Sequence, residues 1–345
     1  MSKLPPKSFS QYLKHQRSFC LFFILAMAPM SHGQTVLDTA NEKLEDDTSN
    51  PFIGPQNEGT APMLLEDEFE DIGPQYLLVP GKPIHNWFSG LLDIQWMNSS
   101  NPTQADDNRK KSADLRVLTA QVHAVTPEKN FAGGRFSALA GFRYQIFDYG
   151  TLSGDKNING IPVSQNDFEA MTLFGHAKWN YEQWKLQLGL RWTQLNNDSG
   201  GSDFYHELVP SFSLGHEFVL SKNTMLTAEY DIAHYATTGQ SAFNIRDDFN
   251  DRVTQGFSLR LLHRLSPKLY LQPMARVQYA IYSDDPNGDR EDTTYSLGLN
   301  LSYYHNSYIV LRLFSNYQNR HSNGLGITDY DNLNLGMGGS LSYKF

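Results

Sequence analysis

The sequence is short of cysteine, short of charge, and without a long apolar run past its first tenth. Its single cysteine is Cys20, so no disulfide framework can hold the chain together. Charged residues make up 19% of the chain, against roughly 25% in ordinary soluble domains. Beyond residue 34 no apolar stretch approaches the ~20 residues that a membrane-spanning helix requires, and mean hydropathy is −0.47. A bundle of membrane helices and a disulfide scaffold are thereby excluded. No basic patch occurs, so nothing points to a nucleic-acid partner. What abounds is aromatic: 21 Phe, 18 Tyr and 5 Trp in 345 residues, too many for disorder over most of the chain.

Charge is placed unevenly. Residues 1–34 carry Lys3, Lys7, Lys14 and Arg17 and no acid. A twelve-residue apolar run, Phe19–Met30, follows, then Ser31-His32-Gly33. A basic start, a short apolar run and small residues before a cut describe a secretory signal, with cleavage expected after Gly33. The apolar run is too short for a membrane anchor. Residues 35–75 then carry eleven acids against Lys43. They lie within an expected acidic, flexible periplasmic segment, 34–83, which either stays solvated, enters the mouth of the following domain or binds a periplasmic partner.

From residue 84 to residue 345 apolar residues recur at every second position. Trp184, Leu186, Leu188, Leu190 and Trp192 alternate with Lys185, Gln187, Gly189 and Arg191; Tyr295, Leu297, Leu299, Leu301 and Tyr303 do the same. Twelve such stretches occur, beginning with Phe88–Trp96 and ending with Leu333–Phe345. Successive side chains in a strand face opposite sides, so each stretch has one apolar and one polar face. Runs near ten residues, with aromatic ends and small polar partners, are the pattern of a transmembrane barrel. Soluble strands average nearer five or six. The connections alternate too: long and polar at Asn98–Lys110, Tyr149–Asn166, His234–Asn250, Ser283–Glu291 and Asn319–Asp331, brief around Asn180–Glu182, Ser221–Asn223, Ser266–Lys268 and His305–Ser307. Outer loops and periplasmic turns of an even-stranded antiparallel barrel alternate in this way. Thr126–Gly133 departs from it, and Pro210 and Pro273 fall inside strands, where a bulge or a rim position is expected.

The chain ends on Leu341, Tyr343 and Phe345 at alternate positions. With the twelve alternating stretches, this ending resembles the outer-membrane β-barrel proteins of Gram-negative bacteria. The resemblance implies an all-β fold of about 12 strands, a last strand read by the barrel assembly machinery, and contact with outer-membrane lipid and lipopolysaccharide. It implies no cofactor and leaves the oligomeric state open. Outer-membrane phospholipases are also twelve-stranded, but their motif sets His and Ser two apart on one strand face before Asn-Gly. Here His321 and Ser322 are adjacent ahead of Asn323-Gly324, and His305 and Ser307 fall in a tight turn. A nucleophile needs its base within hydrogen-bond reach, so no enzyme is expected. The eleven histidines show no metal-binding spacing, and the acidic loop from Asp284 to Asp292 lacks the calcium-loop glycine.

The polar register directs Lys178, Lys185, Arg191, Arg260, Arg276 and Arg312 into the lumen, with Glu207, Glu229 and Asp231 between them. Inward charges either fill a closed barrel or form a pore that filters solutes. The expectation is a porin-like passive channel for small hydrophilic solutes, anions among them. The alternative is a non-conducting barrel acting through its loops.

Overall fold

Long runs of period-two alternation make sheets with two chemically distinct faces, and a sheet in which every strand pairs with its sequence neighbour loses its edges only by closing. The computed structural model describes residues 87–102, 112–150, 157–158, 161–162, 167–197, 203–239, 250–283, 290–324 and 329–345. The expected signal peptide and acidic segment lie outside the described residues. Twelve long antiparallel strands follow: β1 (Phe88–Ser99), β2 (Ala113–Val125), β3 (Gly134–Tyr149), β4 (Phe168–Tyr181), β5 (Trp184–Asn197), β6 (Asp203–Ser221), β7 (Thr224–Gly239), β8 (Arg252–Ser266), β9 (Leu269–Tyr282), β10 (Arg290–Tyr304), β11 (Ile309–Ser322) and β12 (Tyr330–Lys344). Each pairs with the next, and β12 pairs with β1 over Ser89↔Lys344 to Ser99↔Asn334. The barrel is closed.

Its strands are strongly staggered. Cα partners lead from Asp93 in mid-β1 through Thr119, Gln145, Ala170, Leu195 and Tyr205 to Gly239 at the far end of β7. That climb is the tilt which closure imposes. The tight turns at Glu182-Gln183, Lys222-Asn223 and Pro267-Lys268 mark the periplasmic end. At the irregular Thr126–Gly133 the strand pairing continues below the barrel: Lys129–Phe131 forms a short extra strand on the start of β3, turning at Ala132-Gly133 with φ of 48° and 78°. A two-residue hairpin, Asn157–Ile158 with Ile161–Pro162, stands inside the long β3–β4 connection.

The outer wall is apolar and exposed. Leu188, Leu190, Leu297, Leu313 and Leu335 are each more than half accessible. Around the periplasmic end run Trp87, Phe88, Tyr181, Trp184, Phe218, Tyr308, Tyr343 and Phe345, also exposed. An unbroken apolar belt of this size is untenable in water and at home in lipid, with aromatic rings at the interface. The seam is fastened at the C-terminus: Phe88 N–H donates to Phe345 O (3.1 Å), Phe345 N–H donates to Phe88 O (2.9 Å), and the two rings stack at 6.0 Å.

The two prolines occupy mid-strand, not the bulges or rim positions expected of them. Pro210 keeps its partner Leu190 on β5, but pairing with β7 lapses between Ser211↔Ala233 and Leu208↔Ala236. Pro273 keeps Leu299 on β10, and pairing with β8 lapses between Met274↔Arg260 and Leu271↔His263. A strand residue bonds only one neighbour through its N–H, so proline costs rungs on one side and leaves the other ladder whole.

Candidate functional site: the barrel lumen

Each inward side chain is fixed by the register of its strand, and all nine charged candidates from the sequence face inward. Arg191 on β5 meets Glu207 on β6, Nη2 to Oε1 at 3.1 Å, and Tyr205 Oη donates to the same carboxylate at 3.3 Å. Arg276 on β9 grips Asp231 on β7 with two bonds, 2.8 and 2.9 Å. Arg312 on β11 pairs with Asp93 on β1, both side chains wholly buried. Lys185 pairs with Glu217 at 2.5 Å. Lys178, Glu229 and Arg260 stand in the same register on β4, β7 and β8. His123 and His176 also face inward, each beside a glutamine amide at 3.2 Å.

Two of these ion pairs skip a strand. Asp231 and Arg276 lie on either side of β8, whose intervening residue is Gly256; a Cβ there would sit 2.6 Å from Asp231 Oδ1 and 2.5 Å from Arg276 Nη2. Asp93 and Arg312 flank β12 at Gly338, where a Cβ would lie 2.9 Å from the Ile94 carbonyl and 3.3 Å from Arg312 Nη2. Glycine leaves room for an arginine to cross over the backbone.

The outer end of the lumen holds residues that the sequence pattern did not single out. Tyr235, Arg252, Tyr282 and Arg290 are successive cross-strand partners on β7 to β10. The Arg252 guanidinium lies 3.8 Å from the Tyr235 ring centroid, and Arg290 lies 3.9 Å from that of Tyr282. Arg320 on β11 sits 4.4 Å from its partner Tyr330, and Asp292 takes Arg290 at 2.5 Å. Stacked guanidinium and phenol groups of this kind stabilise a cation without removing its charge. Opposite them the lumen is apolar: Met97, Leu115, Val117, Phe147, Phe168, Leu195 and Phe314 pack into one buried cluster, with Phe147 stacked on Phe168 at 4.3 Å.

The residues weighed for catalysis are separated by the pleat. The start of the expected Asn319–Asp331 loop, residues Asn319–Ser322, belongs instead to β11, because its pairing with β10 continues to Asp292↔Ser322. Ser322 turns inward and donates to Asp292 at 2.5 Å; His321 turns outward to Asp329 at 3.0 Å. Neither His321 nor Ser322 serves the other.

A closed twelve-stranded barrel with a lipid-facing apolar belt, aromatic rims and a charged inner wall defines an outer-membrane transmembrane β-barrel. No protein-family model matches the chain, and no curated protein matches it. Among solved structures it is similar to an outer membrane channel from Pseudomonas putida F1, with 11% identity, 75% of this chain and 96% of that one covered, and a TM-score of 0.46. The NanC porin matches at 12% identity over 72% of this chain and 98% of its own, TM-score 0.40. The β-domain of the Bordetella autotransporter BrkA matches at 16% identity over 74% and 100%, TM-score 0.41.

Proposed function

We propose that the protein is a passive channel for small hydrophilic solutes, with a preference for anions set by its inward cations. The observation that carries this reading is the water-accessible state of the wall from β4 to β9. The paired side chains Lys185, Arg191 and Arg276 keep 43%, 23% and 25% exposure although they face the interior. Charges lining accessible space bias the ions that pass. We read the barrel as a non-enzyme, since among the described residues the wall presents paired charges and the weighed pair, His321 and Ser322, points to opposite faces. Export by a signal cleaved near Gly33 and recognition of Leu341, Tyr343 and Phe345 by the assembly machinery belong to the same reading; the three side chains are on the lipid face and exposed.

The packed apolar cluster in the outer half favours the second reading, a barrel that conducts little and works through its loops. Planar-bilayer recording of the refolded protein under a salt gradient separates the two. Discrete open steps with an anion-selective reversal potential are expected, and Arg191→Gln, Arg260→Gln and Arg276→Gln together should move that potential toward zero. A silent bilayer with folded, inserted protein rejects the channel.

A further inference from the structure

We propose that the periplasmic mouth of the lumen is a binding site for a soluble, multiply charged oxyanion, of which inorganic phosphate is the simplest. Charge is spread unevenly along the barrel. Four ion pairs, Arg191–Glu207, Arg276–Asp231, Arg312–Asp93 and Arg135–Glu128, are neutral as units. In the half toward the periplasm the inward register otherwise carries five cations, Lys178, Lys185, Arg260, Arg264 and Lys344, against two acids, Glu217 and Glu229. The excess of positive charge survives any pairing among these seven groups. At the outer strand ends the balance reverses. Residues 113–116, 146–150, 167–171, 205–207, 250–253, 290–292, 318–322 and 329–331 hold ten acids against four arginines. The two mouths therefore carry opposite potentials, and the inner one attracts anions.

The inner charges line open space and stand among hydrogen-bonding groups. Lys178 and Lys344 are exposed although they face inward. Ser137 and Gln187 are the cross-strand partners of Lys178, and Ser89 lies between Lys344 and His123. Lys178, Lys344 and Arg143 all act electrostatically on the His123 ring, so these charges converge on one arc of wall from β12 to β4. Among the described residues, no inward position of that arc below Asp93 carries a side-chain carboxylate. Lysine is a compact point charge that imposes no fixed approach. Hydroxyl and amide donors beside it complete the shell of an anion with several acceptor oxygens. A dianion gains from more than one lysine at once; chloride, singly charged, gains less. The lipid side does not supply the ligand. Trp184 and Tyr343, outward neighbours of Lys185 and Lys344, present exposed rings there, so a headgroup meets aromatics and the inward lysines meet solute. That such binding sets the pore's anion preference rests on the channel reading; the binding itself does not.

The test reads both mouths through single thiols in the full mature chain, whose sequence beyond Cys20 has no cysteine. Ser137→Cys and Gln187→Cys flank Lys178, and the exposed Asn323→Cys marks the outer rim; heat-modifiable migration verifies that each folds. At low ionic strength the inner thiols should react about fivefold faster with an anionic methanethiosulfonate than with a cationic one, each rate normalised to a free thiol. The rim thiol should show the reverse order. Inorganic phosphate should slow the inner thiols several-fold, and chloride at equal ionic strength should not. Lys178→Gln with Lys344→Gln should remove both the preference and the protection. Equal rates for the two reagents at both inner thiols overturn the inference. So does a preference that phosphate and chloride reduce alike, which is a diffuse field and not a site. Bilayer recording separates the site from the channel. Phosphate on the periplasmic side should lower the open current of the parent barrel and leave that of the double variant unchanged. A silent bilayer with phosphate protection intact keeps the inference and removes the channel.

Discussion

Arg312 reaches Asp93 over the backbone of an intervening strand: the two lie on β11 and β1, with Gly338 of β12 beneath their contact. Both side chains are fully buried. Removing one partner strands a buried charge, so Arg312→Ala or Asp93→Ala should cost about 3–5 kcal/mol. Arg312→Met with Asp93→Leu should recover most of that loss. Urea unfolding in micelles, followed by heat-modifiable migration, measures both; equal stability of the single and double variants would reject the coupling.

Two inward-facing strand glycines, Gly256 in β8 and Gly336 in β12, should respond differently to alanine. At Gly256 the added methyl meets the ends of two flexible side chains, Arg276 and Asp231. Gly256→Ala should therefore leave folding nearly intact while unseating the pair and changing ion selectivity. At Gly336 the methyl would lie 2.6 Å from the Trp96 carbonyl and 2.4 Å from the buried Phe314 ring. Backbone cannot give way so easily, and Gly336→Ala should cost about 1–3 kcal/mol. Unfolding midpoints beside reversal potentials distinguish the two responses.

Deleting Phe345 removes two backbone hydrogen bonds across the seam and the stack on Phe88. At about 1 kcal/mol for each bond, the folded barrel should survive with a lower midpoint. Yield of folded protein in the outer membrane should fall more steeply, because the same residue closes the proposed assembly signal. Phe345→Tyr keeps the ring and the backbone and should restore both, as pulse-chase assembly would read.

At the outer rim, the hydrogen bonds that Asp329 makes with His321 and with the Ser322 N–H (2.8 Å) hold its carboxyl below the usual range. A depressed folded pKa means that the unfolded state binds more protons. The contribution is complete above the ordinary carboxylate pKa of about 3.9 and is lost as pH falls through the depressed value. Ser322 should keep its amide protection at pH 6 and lose it selectively only at a pH below the ordinary carboxylate range, after correction for intrinsic exchange. Asp329→Asn should remove that dependence.

Much of this was legible because lipid and lumen impose opposite chemistries on neighbouring residues. Leu188 and Leu190 beside Gln187 and Arg191 fix both the register and the inward set. The pattern fades at the outer end, where the outward neighbours of Arg252, Arg290 and Arg320 include Asp251, Glu291 and His321. Past the lipid edge both faces turn polar, and the Tyr–Arg row is hidden from an alternation search. Pairing was not legible at all. Asp231 and Arg276 are 45 residues apart and Asp93 and Arg312 are 219 apart, and only the stagger of the closed sheet, with a glycine between, brings them together. The prolines misled for a local reason: a residue that lacks one donor disturbs one ladder, so a strand can carry it mid-length when the other ladder is whole.

Those two prolines fall on opposite flanks of the same pair of strands. Pro210 interrupts the β6–β7 ladder and Pro273 the β8–β9 ladder, while β7 and β8 remain joined from Thr224↔His263 to Tyr235↔Arg252. The cylinder is therefore unequal in stiffness around its girth. One two-stranded stave is hung between weakened joints, and the bidentate Asp231–Arg276 clasp runs across one of them. Lateral compliance of the barrel should concentrate there.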